Sequence, residues 1–302
     1  MRQPTEEQIN IINLGKNTQQ NIMINSYAGT GKTSTLEMLE REVKQTPILY
    51  CVFNKRNADE ATERMLSTTT VRTFNGIGHR IWASAVKPRL KLEPNKTYTI
   101  IKEIADEVKG SASQEIWSSY PLVKQGVGLA KALGYIPESV LPDAMRLCSR
   151  RTLHNRLDEE PDDLTSDLID AVLKQSIKLS YDGTIDFDDQ IYMPALFGGI
   201  YPKYPLTLVD EYQDLNPTNH VMIEKLVKNR RLIGVGDPHQ NIYSFRGAKI
   251  SGMSDAVAAF GMTTAELSVS FRCPSAIVNN VHWHVPNFKA SRSGGHVEIL
   301  PH

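Results

Sequence analysis

The chain has 302 residues, of which 40% are hydrophobic and 23% are charged, and its formal net charge is zero. This length allows one large domain or two ordinary domains with a core that needs no disulfides, and the composition is that of a soluble protein. Zero net charge excludes attraction of a polyanion by the whole molecule, so a nucleic-acid partner has to be held by a local basic surface.

Short apolar runs alternate with amphipathic helical patterns at both ends of the first 260 residues. Strand followed by helix, repeated, predicts an α/β fold with a mostly parallel sheet covered on both faces. In such sheets, ligands bind beyond the carboxyl ends of the strands. The four strand and helix pairs are NIMINSY with TSTLEMLEREVK, PILYCVF with NADEATERML, LTLV with NHVMIEKLVKN, and RLIGVG with SGMSDAVAAF.

The pattern is helical from about residue 80 to about residue 180, and it contains no convincing strand. Alternation resumes near YDGTIDFDDQI, so this stretch is predicted to be a helical subdomain inserted into the sheet domain. Its arginines cluster, and either a solvated helix face or a phosphate-tracking patch explains them. The clustered arginines are Arg146, Arg150, Arg151 and Arg156.

The stretch SYAGTGKT at 26–33 lies between a predicted strand and a predicted helix, as a phosphate-binding loop requires. Glycines let backbone N–H groups turn towards a phosphate, and the helix amino terminus adds positive charge. Lys32 is expected to reach the β and γ phosphates, and Thr33 to offer a hydroxyl to Mg²⁺. Ser26 stands where the strict pattern has glycine. The predicted nucleotide-binding residues here are Ala28, Gly29, Thr30, Gly31, Lys32, Thr33 and Ser34.

An acidic couplet follows the apolar run LTLV. In VDEYQD at 209–214, Asp210 and Glu211 come directly after a predicted buried strand. A phosphate-loop NTPase needs one carboxylate for the Mg²⁺ shell and another for the attacking water. We assign Asp210 to the metal and Glu211 to the water, and so predict a nucleoside triphosphate hydrolase with Mg²⁺ as its cofactor. The alternatives are a plain surface turn and a metabolite kinase built on the same kind of loop.

Seven segments in order resemble motifs of UvrD/Rep/PcrA-type superfamily one DNA helicases. The resemblance implies a RecA-like ATP-binding lobe at 1–80 and 181–262, a helical insertion at 81–180, and the start of a second lobe at 263–302. It also implies a single strand or a single-strand/duplex junction as substrate, 3′ to 5′ movement, and a role in DNA repair or replication. The segments are PTEEQINII, SYAGTGKT, YCVFNKRNADEATERM, VRTFNGIGHRI, VDEYQDLNPTNHVMI, GVGDPHQNIYSFRGA and LSVSFRCPSAI.

The resemblance extends to single residues at the nucleotide. It implies that Gln8 reads the adenine edge and that Phe271, where the family usually has tyrosine, lies under the adenine ring. Gln240 follows a predicted strand and is expected to sense loss of the γ phosphate. Arg272 is implied to contact the γ phosphate from the opposing lobe.

The resemblance also implies a set of DNA contacts. Phe245 takes the place of a family tryptophan on which a base stacks, and such stacking contributes about 1–3 kcal/mol whatever the base. Phe53 and Phe74, each at the end of a predicted strand, are stacking candidates for which a core position is an equal alternative. The predicted DNA-binding residues are Phe53, Asn54, Thr73, Phe74, Asn75, Tyr243, Phe245 and Arg246.

The family's later motifs have no counterpart before His302. These motifs include an arginine of a kind that contributes roughly 10³ to 10⁵ in rate in related NTPases. We therefore expect nucleotide binding and weak strand binding, without unwinding by this chain alone. Three explanations stay open: a fragment of a full helicase, which we favour, a split enzyme completed by a second chain, or a nucleotide-gated DNA-binding module without motor activity.

Cysteine and histidine positions give no metal pattern. The three cysteines lie far apart without a CxxC pair, which suits a reducing compartment. The histidines of HWH at 282–284 would point to different helix faces, so we do not expect a metal there. The polar amino terminus is unlike a signal peptide and the apolar stretches are strand-sized, so we expect a cytoplasmic protein, or a nuclear one in a eukaryote, without a membrane segment.

Overall fold

The computed structural model describes residues 3–138, 140, 146–241 and 247–298. The predicted α/β fold is confirmed. The strands are β1 (Ile22–Ser26), β2 (Ile48–Val52), β3 (Thr69–Thr73), β4 (Lys91–Leu92), β5 (Thr184–Ile185), β6 (Leu206–Val209), β7 (Arg231–Gly236), β8 (Thr263–Leu267), β9 (Val269–Ser270) and β10 (Lys289–Ala290). The helices are α1 (Glu6–Asn17), α2 (Lys32–Glu42), α3 (Lys55–Arg64), α4 (Phe74–Ala85), α5 (Lys96–Glu107), α6 (Ser111–Leu133), α7 (Arg150–His154), α8 (Asp163–Tyr181), α9 (Asp189–Phe197), α10 (Pro217–Leu226), α11 (Gly252–Phe260) and α12 (Ser275–Val281).

Six strands form one parallel sheet in the order β3-β2-β6-β7-β1-β8. The four strands predicted from continuous apolar runs, β1, β2, β6 and β7, fill its centre, where both faces are buried. Because all six strands run the same way, the loops that follow them open at one edge, which we call the carboxyl edge. We call the opposite edge, where the strands begin, the amino edge.

Each face of the sheet has its own apolar core. One core contains Ile24, Leu36 and Tyr50 and lies beneath the helices that follow β1 and β2. The other starts from sheet residues such as Met23 and continues without a break into the helical insertion. The insertion is therefore packed onto the sheet, and it shares one interior with it.

A small sheet joins the two chain ends of the helical insertion. β4 pairs with β5 in parallel, with Lys91 beside Thr184 and Leu92 beside Ile185. Each of these strands has two residues, which is too short for an alternating pattern, so the sequence does not reveal them. Within the insertion, α6 packs against α5 and α8.

The end of the described chain differs from the sequence expectation. The strand in AELSVSF was expected to open a second lobe at 263, but β8 pairs with β1 and forms an edge of the first sheet. The sheet of the first lobe therefore extends past residue 262, where the sequence predicted that this lobe ends. After β8 the chain forms β9, α12 and β10, and β9 pairs with β10.

Candidate functional site

The loop between β1 and α2 has the backbone of a phosphate cradle. Gly29 and Gly31 have φ of +70° and +84°, a region that glycine enters without steric cost. Ser26 is fully buried, and its hydroxyl lies 2.6 Å from Oγ1 of Thr30. Among the described residues, the non-glycine residues with positive φ are Glu211 and Asn229, so Ser26 replaces the usual glycine without backbone strain.

The chain after β9 lies directly against this loop. The backbone N–H of Phe271 donates to the carbonyl of Gly29 at 2.9 Å, and Ser270 Oγ donates to the carbonyl of Ala28 at 2.7 Å. A Cβ at Gly29 would lie 2.3 Å from Cβ of Arg272, so only glycine fits there. The structure thus brings predicted residues from both ends of the chain together, and the side chain of Arg272 is exposed.

Gln8 and Phe271 converge on the second glycine of the loop. A Cβ at Gly31 would lie 3.3 Å from Nε2 of Gln8 and 3.8 Å from Cε2 of Phe271. Gln8 is buried, caps the start of α1 together with Thr5, and donates from Nε2 to Thr35 Oγ1 at 2.9 Å. An amide edge and an aromatic face next to a phosphate loop are the groups that a purine base would require.

Lys32 and Glu211 form the central contact of the site. Nζ of Lys32 lies 2.6 Å from Oε2 of Glu211, which joins the loop after β1 to the couplet after β6. Because β7 lies between those strands, this ion pair bridges about 10 Å of sheet. Glu211 has φ of +49°, a conformation that costs a non-glycine residue about 1–2 kcal/mol. Backbone strain of this kind is concentrated at functional sites.

Asp210 is buried beside this ion pair. Its Oδ2 accepts a hydrogen bond from the Tyr50 hydroxyl at 2.8 Å, and its Oδ1 accepts one from the backbone of Glu211. Burial, followed by the negative charge of Glu211, raises the pKa of Asp210 to about 6, although Tyr50 and Lys32 act in the opposite direction. The carboxylate is therefore short of positive charge in this structure.

These donors fit a magnesium ion. Mg²⁺ prefers oxygen ligands and is usually held by one or two protein groups together with substrate phosphates and water. Asp210 supplies a buried carboxylate, and Thr33 supplies a hydroxyl from the first turn of α2. A divalent cation would favour the ionised form of Asp210 and so counteract the burial and the charge of Glu211 that raise its pKa.

Gln213 connects the couplet to the loop after β7. Its Nε2 donates to Glu211 Oε2 at 3.0 Å, and its Oε1 accepts from the backbone N–H of Asp237 at 3.0 Å. Asp237 in turn accepts from Nε2 of Gln240 at 2.5 Å. Sequence reasoning assigned Gln240 alone, and the structure adds Gln213 and Asp237 to the network.

Asp214 is the third carboxylate of VDEYQD. Burial, followed by Glu211, raises its pKa to about 6. Its buried Oδ1 has no hydrogen-bond partner within the described part of the chain. We assign it no role in binding or hydrolysis.

Two predicted DNA-binding side chains also cap helices at the carboxyl edge. Asn54 Oδ1 accepts from the N–H of Asn57 at 2.9 Å, and Thr73 Oγ1 accepts from that of Gly76 at 3.1 Å. Their positions after β2 and β3 place them along one edge of the sheet. Phe53 is half-buried beside Asn54.

The structure separates the aromatic candidates. Phe74 is 2% exposed and packs in the core, which favours the core interpretation over stacking. Asn75 donates from Nδ2 to the carbonyl of Phe187 at 2.7 Å and to Gln190 Oε1 at 3.0 Å. The ring of Phe187 is 53% exposed, and sequence reasoning missed it. An aromatic flanked by aspartates in IDFDDQ was the available signal. Tyr243, Phe245 and Arg246 lie outside the described residues.

Other candidate groups have ordinary partners. Arg150 lies 2.9 Å from Asp167 and 3.4 Å from Asp170, which favours a solvated, ion-paired helix face. His282 contacts the carbonyl of Phe288 at 2.7 Å. His284 lies 3.2 Å from His239, so the two histidines of HWH have different partners.

A parallel sheet whose carboxyl edge joins a glycine-turned loop to an acidic couplet defines a phosphate-loop class of fold. The sequence matches the family described as UvrD/REP helicase N-terminal domain over residues 5–260. The chain therefore belongs to the UvrD/REP helicase family, and the resemblance is confirmed. Within its described part, no helix is long and apolar enough to cross a bilayer.

Relatives in distant organisms show the same affiliation. The chain is similar to F-box DNA helicase protein 1 of Schizosaccharomyces pombe, with 26% identity over 98% of this chain and 34% of that protein. It is similar to F-box DNA helicase 1 of Gallus gallus, with 27% identity over 81% of this chain and 24% of that protein. A probable DNA helicase II homolog of Mycoplasma genitalium shares 25% identity over 83% of this chain and 38% of its own length. The chain thus spans well under half the length of these relatives.

Proposed function

We propose that this chain is the ATP-binding lobe of a UvrD-type DNA helicase, which binds MgATP and single-stranded DNA and hydrolyses ATP. The observation that carries the proposal is the 2.6 Å contact between Lys32 and Glu211. It brings the cation that binds a triphosphate to the carboxylates that serve metal and water. ATP hydrolysis requires that convergence.

The loop supplies the phosphate ligands. Backbone N–H groups from Gly29 to Thr33 and the amino terminus of α2 bind phosphate oxygens. Lys32, whose side chain is 17% exposed, exchanges Glu211 for those oxygens. Gln8 and Phe271 hold the base at the adjacent glycine.

The exchange frees the carboxylate of Glu211 for general base catalysis. Once Lys32 is drawn to phosphate, Glu211 keeps its hydrogen bond from Gln213 and accepts a proton from the attacking water. Thr33 and Asp210 would hold Mg²⁺, which neutralises charge on the phosphates when bound. Asp237 positions Gln240 at the same edge, where an amide can respond to the γ phosphate.

We place the DNA strand along the carboxyl edge, over the ends of β2 and β3. Asn54, Thr73 and Asn75 line this path, and the exposed ring of Phe187 provides a surface for base stacking. Phe53 is kept as a second stacking candidate. The segment with Tyr243, Phe245 and Arg246 follows Gln240 in the chain, so we expect it to report nucleotide state to the strand.

Unwinding needs two lobes that open and close around a nucleotide. We propose that 3′ to 5′ translocation depends on a second lobe, supplied by more of the same polypeptide or by another chain. Arg272 would then act on the γ phosphate as part of that lobe. As a DNA helicase component, the protein would work in the compartment that holds the cell's DNA, in repair or replication.

The test is ATP turnover with and without a single strand, together with MgATP binding. Lys32→Ala removes the phosphate-binding cation, and we expect at least about a hundredfold loss of MgATP affinity, since a charge-assisted contact to phosphate is lost. The matched control is Lys174→Ala, at an exposed lysine of α8, and we expect it to keep wild-type affinity for MgATP.

Three outcomes are informative. Equal affinity in Lys32→Ala and Lys174→Ala contradicts the loop assignment. Binding of MgATP and DNA without turnover, both in this chain and in a longer version that carries a second lobe, identifies a nucleotide-gated DNA-binding module in place of a hydrolase. Turnover that a single strand stimulates supports the proposal.

A further inference from the structure

A basic groove runs along the amino edge of the sheet, on the side away from the catalytic residues. Two adjoining cavities of about 290 and about 940 Å³ share Lys225, Lys228, Asn229 and Arg230. Their walls come from the loops before β6 and β7 and from the starts of neighbouring strands. We call this surface the amino-edge groove.

The amino-edge groove concentrates positive charge in a molecule with no net charge. The smaller cavity is lined by four cationic side chains and by no carboxylate, while the larger cavity adds Arg231 and a single acid, Glu224. Within the described part of the chain, no ion pair neutralises Lys203, Lys228 or Arg230. The four cations of the smaller cavity are Lys203, Lys225, Lys228 and Arg230.

Lys225 and Arg231 form the floor of the groove, and hydrogen bonds to backbone carbonyls hold both side chains in place. Lys225 donates from Nζ to the carbonyl of Ala195 at 2.6 Å and lies 5.7 Å from the ring centre of Tyr201. Burial lowers the pKa of Lys225. Arg231 is 5% exposed and donates to the carbonyl of Gly15 at 2.7 Å. Lys203 and Lys228 are exposed above this floor, so their ammonium groups are available to a ligand.

We propose that the amino-edge groove binds the phosphate backbone of a nucleic acid as a second contact of this lobe. Lys203, Lys228 and Arg230, which form no ion pair within the described part of the chain, attract an anion. The two connected cavities exceed the size of one phosphate, which favours a polymer. Amide side chains of Gln19 and Gln45 also line the groove, and such groups commonly bind phosphate and sugar. The family acts on DNA, so a nucleic acid is the polyanion that it meets.

This contact lies beyond the strand path of the proposed function. β7 has six residues, and a rise of about 3.3 Å per residue separates the two edges by about 20 Å. A strand on the carboxyl edge therefore does not touch the amino-edge groove unless it wraps around the lobe. Either the duplex ahead of the motor or the strand leaving it supplies the same backbone chemistry.

The experiment measures the salt dependence of binding to a labelled single strand and to a duplex, each about 20 nucleotides long, between about 50 and 200 mM KCl. The groove variant is Lys203→Gln with Lys228→Gln. Its matched control is Lys102→Gln with Lys174→Gln, two exposed lysines of the helical insertion. Phe187→Ala reports on the carboxyl-edge strand path separately, and MgATP affinity is measured for every variant.

Loss of two phosphate contacts should weaken binding about tenfold at 100 mM KCl and reduce the slope of log affinity against log salt by about two. A larger effect on the duplex or on the single strand identifies which of them occupies the groove. If the groove variant has the same DNA affinity and the same salt slope as the control variant, the proposal is overturned. If Phe187→Ala is then the variant that loses DNA affinity, the proposed function still stands. Binding of polyglutamate is measured in the same way as a probe for an acidic protein segment. If the groove variant keeps its DNA affinity and loses its affinity for polyglutamate, the groove binds an acidic protein segment and the proposal is overturned.

Discussion

Lys32 and Glu211 neutralise each other across β7. Each side chain is therefore held in place by the other, and the proposed binding of a triphosphate would separate them. Because the two side chains are 17% and 28% exposed, breaking this ion pair without a replacement partner would be unfavourable, and phosphate oxygens would provide Lys32 with that partner. In the proposed mechanism, Glu211 accepts a proton from water only after Lys32 has turned to the phosphates, because its carboxylate is bound to the ammonium group of Lys32 before that.

Glu211→Gln tests this exchange. The amide cannot accept the proton of water, so ATP turnover should fall by about 10² to 10⁴. It also competes less well for Lys32, so MgATP affinity should be equal or higher. Phosphate release and nucleotide titration measure the two quantities, with Glu103→Gln on the exposed side of α5 as control. Weaker MgATP binding in Glu211→Gln would show that the carboxylate belongs to the metal shell instead.

The buried carboxylate of Asp210 makes nucleotide-free stability depend on pH. Its pKa is about 6 in the folded chain and about 3.9 in an unfolded one. A raised folded pKa means that the folded state binds the proton more tightly, so the stabilisation is present below about pH 4 and is lost as pH rises through about 6. At neutral pH the ionised form costs up to about 3 kcal/mol.

Asp210→Asn removes that cost while keeping an acceptor for the Tyr50 hydroxyl. We expect the variant to be about 1–3 kcal/mol more stable than wild type near pH 7 and to differ little near pH 4. Urea denaturation at both pH values measures the difference. A variant that is less stable near pH 7 would mean that the carboxylate is well compensated in the folded protein.

At the scale of elements, four buried charges fasten the helical insertion to the segment that carries Phe187. Lys96 of α5 lies 2.6 Å from Asp189, and Lys131 of α6 lies 2.5 Å from Asp186 and 2.8 Å from Asp189. Burial raises the pKa of Asp189, but Lys131 and Lys96 outweigh it and lower the pKa below its usual value. The carboxylate of Asp189 thus stays ionised, and these ion pairs hold α5, α6 and the start of α9 together.

Lys131→Met should destabilise the protein by about 3–5 kcal/mol, because removing one partner leaves a buried charge uncompensated. Lys124→Met, on the exposed face of the same helix, should change the free energy of unfolding by less than about 0.5 kcal/mol. Urea denaturation of both variants makes the comparison. Similar stabilities would show that water or rearranged partners compensate for the missing ammonium group.

These elements also show how far sequence reasoning reaches. The central strands were predictable because burial on both faces requires continuous apolar runs, and the loop after β1 because its glycines must turn inward. The place of β8 beside β1 was not predictable, because strand order is a tertiary property. Lys96 and Lys131 look like surface residues in sequence, and only their partners make burial possible.

The ring of Phe74 shows the reverse case. The end of β3 lies at the carboxyl edge, yet the side chain of Phe74, the first residue of α4, is packed in the core. Sequence position fixes the edge at which a residue lies and leaves the direction of its side chain to packing. Phe187 was missed for the same reason, because the sequence does not show whether its side chain is exposed or buried.

At the scale of the whole molecule, the two edges of the sheet carry different proposed sites. Nucleotide groups and the strand path share the carboxyl edge, and the amino-edge groove lies about 20 Å away. Communication along the carboxyl edge needs a physical link between β6 and β7. Gln213 provides one, because it bonds both Glu211 and the backbone of Asp237. From Asp237 the chain passes through Gln240 to the segment that contains Phe245.

Gln213→Met removes both hydrogen bonds at similar volume and should uncouple the two ligands. In wild type we expect a non-hydrolysed ATP analogue to change single-strand affinity by about fivefold or more, a usual size for coupling between sites. In Gln213→Met, the ratio of single-strand affinity with the analogue to that without it should approach one. Each ligand alone should still bind within about threefold of wild type. Gln175→Met, at a glutamine of α8, is the control. Binding titrations with and without the second ligand give the ratio in both directions. An undiminished ratio in Gln213→Met would mean that the coupling passes through other contacts between β6 and β7.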